Sequence, residues 1–131
     1  MVRETSSFRD PSGFIFYQEG EVYRALHKSY LDEYTLFIKS GLYDSLLDQN
    51  IIVAHEEHPI GSFRLSDDFP LILKPKKIQP ISYVYEWSFS QLKSAALTVL
   101  KIQRKAMAKG MCLKDASSFN IQFQENSSVW I

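Results

Sequence analysis

The stretch from residue 88 to 110 constrains the fold more than any other. Ser88, with Gln91 three positions on, makes a capping box in which each side chain accepts a hydrogen bond from the other residue's backbone N–H. Leu92, Ala95, Ala96, Val99, Ile102, Ala106 and Met107 then recur at helical spacing and trace one apolar face, and Gly110 supplies the stop. Lys93, Lys101, Arg104, Lys105 and Lys109 fall on the outer face, where the last of them also complement the helix dipole. Cys112 follows among apolar neighbours and reads as packed.

Strand patterns lie on both sides of this helix. Residues 14–17 and 21–26 flank Gln18, Glu19 and Gly20, a hairpin signal with glycine where positive φ is needed. Residues 121–123 and 129–131 form a second hairpin pattern closed by Glu125, Asn126 and Ser127. Ser29 and Asp32 open a helix through Leu31, Tyr34, Thr35 and Ile38 that ends at Gly41, and residues 42–47 read as a second short helix. Residues 51–54 read as a buried strand. Residues 71–74 and 78–85 are strand candidates interrupted by Pro75 and Pro80, which suits edge strands. The expected fold is therefore α+β, a small antiparallel sheet with helices.

Between these elements the sequence is polar. Residues 1–13 read as an arm with a turn at Asp10, Pro11, Ser12 and Gly13. His55, Glu56, Glu57 and His58 offer metal-ligand types, but the histidines are three apart and precede Pro59, unlike the helical four-residue spacing of zincins, so a polar turn is expected. Residues 59–70 read as a loop. Lys74, Lys76 and Lys77 read as a solubilising edge. Tyr83, Tyr85, Trp87 and Phe89 read either as core or as a platform on which a planar ring stacks.

At 131 residues and 45% hydrophobic the chain suffices for one domain with a real core. Fifteen basic and fifteen acidic residues cancel, which argues against nucleic acid and anionic membrane as partners. One cysteine excludes an internal disulfide, and no segment has the length and apolarity of a signal peptide core or a spanning helix, so a cytoplasmic location is expected.

Asp115, four intervening residues, Asn120 and then the terminal hairpin follow the order of a phosphoryl-transfer loop. There the acid accepts the proton of the attacking hydroxyl and the amide oxygen holds Mg²⁺. This spacing resembles the catalytic loop of protein kinases and aminoglycoside phosphotransferases. The resemblance implies a truncated kinase-like fold, Asp115 as catalytic base, Asn120 as metal ligand, and ATP with Mg²⁺ as what such a site would take. It puts Arg24 near the place of the family's strand lysine, a departure since Arg is a planar fork, with Glu33 as its helix carboxylate and Lys114 as a further cofactor-binding residue.

A second resemblance covers nearly the whole chain. SSFRDPSGFIFY at 6–17, SGLYDSL at 40–46 and YEWSFSQLKSAALTVLKIQRKAMAKGMCLKDASSFNIQF at 85–123 are similar to the N-terminal region of bacterial, nodulation-type proteins that continue into a class I S-adenosylmethionine-dependent methyltransferase domain. It implies that residues 1–131 are one α+β domain of a longer protein: an arm (1–13), a sheet-containing lobe (14–87), and a part with the long helix, Asp loop and hairpin (88–131). S-adenosylmethionine would belong to the C-terminal part, and the methyltransferase domain would be the partner, with a small-molecule substrate as another ligand. Three functions follow: a kinase-like module that binds substrate, nucleotide or partner without catalysis; a lobe of an active small-molecule kinase; and a non-enzymatic α+β interaction domain in which Asp115 caps a turn.

Overall fold

The computed structural model describes residues 1–131, the side chains of Phe8 and Ile60 excepted. Among the described residues the fold is α+β, with a five-stranded antiparallel sheet, a separate two-stranded hairpin and three α-helices. The chain forms two compact units. One comprises Met1–Leu36 and Ala54–Lys77, the other Phe37–Val53 and Ile78–Ile131.

The first unit is built on the sheet. Strands β1 (Val2–Arg3), β2 (Gly13–Gln18), β3 (Glu21–Leu26), β4 (His55–Pro59) and β5 (Leu71–Pro75) lie in the order β1-β2-β3-β5-β4. Glu19 and Gly20 turn β2 into β3 with φ of 55° and 80°, the doubly left-handed geometry that matches the twist of paired strands. Alternation along β2 buries Phe14 and Phe16, which join Ala25 and Ile72 in the core. Phe63, Leu65 and Phe69, from the segment expected to be a plain loop, pack against that core. Their rings meet edge-on, with centroids 5.4 Å apart for Phe63 on Phe16 and 4.9 Å for Phe69 on Phe14.

Four expectations change here. The supposed arm contributes β1, paired with β2 through Val2↔Tyr17 and Arg3↔Phe16. The polar run at His55 is a strand rather than a turn, because its backbone pairs with β5 from His55↔Pro75 to Pro59↔Leu71. That pairing places β5 inside the sheet, not at its edge. Pro75 is tolerated because the ladder from β3 to β5 ends at Leu73, so its missing N–H falls beyond that ladder. The turn before helix α1 (Leu31–Lys39) is capped by His27, whose Nδ1 accepts from Ser29 N–H at 3.2 Å, in place of the expected Ser29 cap.

The second unit packs α2 (Leu42–Asp48) and α3 (Phe89–Met107) with the hairpin β6 (Ile121–Gln124) and β7 (Ser127–Trp130). Gly41, at φ 75°, links α1 to α2 in a conformation that favours glycine. Leu42, Leu46, Ile51, Ile102 and Ala106 form the core. The segment expected as a buried strand at 51–54 makes one parallel bridge, Ile52↔Trp130, beside β7. Residues 78–85 form no strand. Instead the buried amide of Gln122 accepts from Ser82 N–H and donates to Ser82 C=O, each at 3.0 Å, giving that backbone the partners a ladder would have supplied.

Helix α3 starts as the sequence dictates. Ser88 Oγ accepts from Gln91 N–H at 3.2 Å, and Gln91 Oε1 accepts from Ser88 N–H at 2.9 Å. Its burial is phased differently, however. The inward seam is Ala95, Thr98, Ile102 and Ala106, while Leu92, Ala96 and Met107, expected inside, are exposed. Thr98 is accommodated because its hydroxyl meets Ser128 Oγ at 2.6 Å, and Ser128 in turn meets Ser94 Oγ at 3.0 Å.

Candidate functional site

The Asp115 loop is positioned by the end of α3. Gly110 adopts φ 76°, and Met111 N–H donates back to Ala106 C=O at 2.9 Å, closing the helix. Gln103 Oε1 accepts from Leu113 N–H at 2.8 Å and directs the departing chain. Cys112 between them is exposed, not packed. Its neighbours Met111 and Leu113 are the residues that pack against the core.

Asp115 and Asn120 are brought together, through bonds internal to the loop. Asp115 Oδ1 accepts from Ser117 N–H at 2.9 Å, a side-chain turn of the kind short polar residues form. Asn120 Nδ2 donates to the Asp115 carbonyl at 3.2 Å, and Asn120 C=O accepts from Ile131 N–H at 2.9 Å, tying the loop to the hairpin. The Ser117 N–H is the main cause that holds the Asp115 carboxyl below the usual carboxylate range, with the Asn120 and Ser117 side chains adding to it. A carboxylate so stabilised is a weaker proton acceptor. Lys114 beside it is exposed.

Arg24 and Glu33 lie in the first unit and are not paired with each other. Arg24 Nη2 reaches Asp10 Oδ2 at 2.6 Å, while Glu33 is exposed on the first turn of α1, where its charge suits the helix dipole. The turn at Asp10 folds against the middle of β3 and supplies the carboxylate that α1 was expected to bring.

Sequence reasoning missed a half-buried polar cluster in the same unit. Tyr34 of α1 donates its hydroxyl proton to Glu57 Oε1 at 2.6 Å and lies 2.8 Å from His55 Nε2. With that proton committed, His55 donates through Nε2. Desolvation holds the His55 pKa down, against the opposing pull of Glu57. The signal for this cluster was His-x-Glu alternation, which places both side chains on one strand face. Among the described residues no group of three or more His, Cys, Asp or Glu is arranged to hold a metal ion, and no helix is long and apolar enough to cross a membrane.

The second unit also carries an open groove of about 430 Å³ along α3, lined by Ile51, Phe89, Lys93, Leu97, Thr98 and Lys101 among others. Of the four aromatic residues that precede or open α3, Trp87 packs edge-on against Phe123 at 5.0 Å. Tyr83, Tyr85 and Phe89 are exposed, and the two tyrosine rings stack on each other at 5.4 Å.

The chain is similar to Nodulation protein NoeA of Rhizobium meliloti (strain 1021). The two are 30% identical over 130 residues, which is 98% of this chain and 27% of that protein. The chain thus spans about a quarter of the length of the curated relative it matches. No family profile matches the sequence, and no solved structure matches it.

Proposed function

We propose that this chain is a non-catalytic binding module of a longer, nodulation-type protein, with a kinase-like loop and, in the longer protein, an S-adenosylmethionine-dependent methyltransferase domain as its partner. The observation that carries this reading is the loop itself. The carboxylate of Asp115 and the amide of Asn120 are each engaged by neighbouring backbone, one by Ser117 N–H and the other by the Asp115 carbonyl. The Ser117 N–H lowers the basicity of the Asp115 carboxylate, and the Asn120 bond, made through Nδ2 and not the oxygen, closes the turn; the weakened base is what favours a non-catalytic loop. The match to a relative nearly four times as long supports a role within a larger protein. The resemblance of residues 6–17, 40–46 and 85–123 to methyltransferase-linked regions supports the nature of the partner.

Thermal melting and a phosphoryl-transfer assay, both with millimolar ATP and Mg²⁺, test the reading. A ligand at 100 times its Kd would stabilise the fold by about 2.7 kcal/mol, and the module reading expects no phosphoryl transfer by either the native chain or its Asp115→Asn variant. Phosphoryl transfer that disappears with Asp115→Asn would overturn it and make the chain a lobe of a kinase.

A further inference from the structure

Helix α3 is apolar on two opposite sides. The side turned away from the core repeats Phe89, Lys93, Leu97, Leu100, Arg104 and Met107 at steps of three and four. On it Phe89, Leu97, Leu100 and Met107 are 81%, 56%, 64% and 64% exposed. A helix apolar all round is ordinarily covered on both sides. Its charge is equally one-sided. Residues 89–107 contain no Asp or Glu in a chain whose formal charge is zero. Among the described residues Lys93, Lys101, Arg104 and Lys105 form no ion pair, since all four ion pairs lie elsewhere.

We propose that this face docks an acidic amphipathic helix from a partner domain. Apolar residues of that helix would sit on Phe89, Leu97 and Leu100, with carboxylates opposite Lys93 and Arg104. The two cations are three turns apart, about 16 Å along the axis, so the partner's carboxylates are separated by the same three turns. The groove between Ile51 and α3 gives one anchoring side chain a place to seat. This inference rests on the binding-module reading and names the surface that does the binding.

The charges favour this occupant over two others. A second copy would set the face against itself, cation against cation, because it holds no acid. A lipid surface suits a helix whose cations rim the apolar stripe. Here Lys93 and Arg104 stand in the middle of the stripe, where acyl chains would have to cover them and where a carboxylate neutralises them.

The test uses the full chain and a synthetic helical peptide with leucines along one face and two glutamates three turns apart, titrated by fluorescence anisotropy. Saturable binding is expected. It should weaken about tenfold in a Lys93→Glu/Arg104→Glu double variant and recover when the peptide's glutamates are replaced by lysines. Leu97→Asp/Leu100→Asp should abolish it. These positions face solvent, and circular dichroism checks that the helix persists. Failure to bind, equal binding of a scrambled peptide, or absence of charge-swap rescue would overturn the proposal. So would capture by phosphatidylserine vesicles, or dimerisation through this face, in place of peptide binding. Such a failure leaves the ATP and Asp115→Asn results untouched, so the two readings fall separately.

Discussion

The two units treat polarity in opposite ways. In the first, three cations are paired close to home: Arg24 with Asp10, Lys28 with Asp68 and Lys74 with Glu21. Its core is aromatic, with Phe14, Phe16, Tyr23, Phe63 and Phe69 interlocked. The second has an aliphatic core and joins its buried polar groups through hydroxyls and one amide, Thr98 with Ser128 and Gln122 with Ser82. Its helix cations meet no carboxylate among the described residues. Cations left unneutralised beside exposed leucines on one helix suit an outside surface, while the three pairs of the first unit tie its own turns and strands together.

The sharpest way to break this contrast is to hollow out each core. Phe16, wholly buried among aromatics, should cost about 3–5 kcal/mol as Phe16→Ala, and Ile102→Ala in the second unit about 2–5 kcal/mol, both read by urea denaturation. Gly13→Ala belongs near the top as well, because a Cβ there would overlap the Ala25 carbonyl oxygen and force the β2–β3 pair apart. Next in size is Ser128→Ala, which strips the Thr98 hydroxyl of its buried partner and should cost about 1–3 kcal/mol. A loss no larger than that of an exposed serine would show that the hydroxyl cluster does not hold β7 to α3.

Smaller effects test the charges. Asp10→Asn should cost about 1 kcal/mol or less, and that cost should shrink with added salt. Lys101→Gln, which breaks no ion pair and lies before the last turn of α3, should leave the melting temperature unchanged. Equal losses from both substitutions would erase the contrast between the units. The pH dependence sharpens it further. Because the folded pKa of His55 lies below its ordinary 6.5, the unfolded chain binds the extra proton first. The His55 contribution is therefore complete above about pH 6.5 and is lost as pH falls from there through the lower folded value. His55→Gln, which keeps a donor toward Tyr34, should flatten that part of the stability profile.

The sequence made some of these elements legible and hid others for definite reasons. Both hairpins were readable because Glu19-Gly20 and Glu125-Asn126 occupy turns with positive φ at both positions. The start of α3 was readable because its capping box is a local hydrogen-bond exchange. Strand β4 was not, since His-Glu-Glu-His carries no apolar alternation and becomes a strand only through pairing with β5. The phase of α3 was also hidden: Leu92, Leu97 and Leu100 all lie outside while the inward seam is Ala95, Thr98, Ile102 and Ala106, so apolar periodicity alone points to the wrong side. At the candidate site, Asp115 and Asn120 do share a loop, yet their engagement by Ser117 N–H and the Asp115 carbonyl depends on turn geometry that spacing does not specify. Arg24's choice of Asp10 depends on how the turn at residue 10 folds against β3.

The ends of the large sheet limit how this protein meets other chains. On one side β1 is only two residues long; on the other, β4 presents Glu56 and Glu57 and finishes at Pro59, which has no N–H to offer. An extended peptide seeking to lengthen that sheet finds a stub at one border and charge with a proline at the other. Recruitment by strand addition is thereby discouraged, as is runaway fibril growth from the same borders.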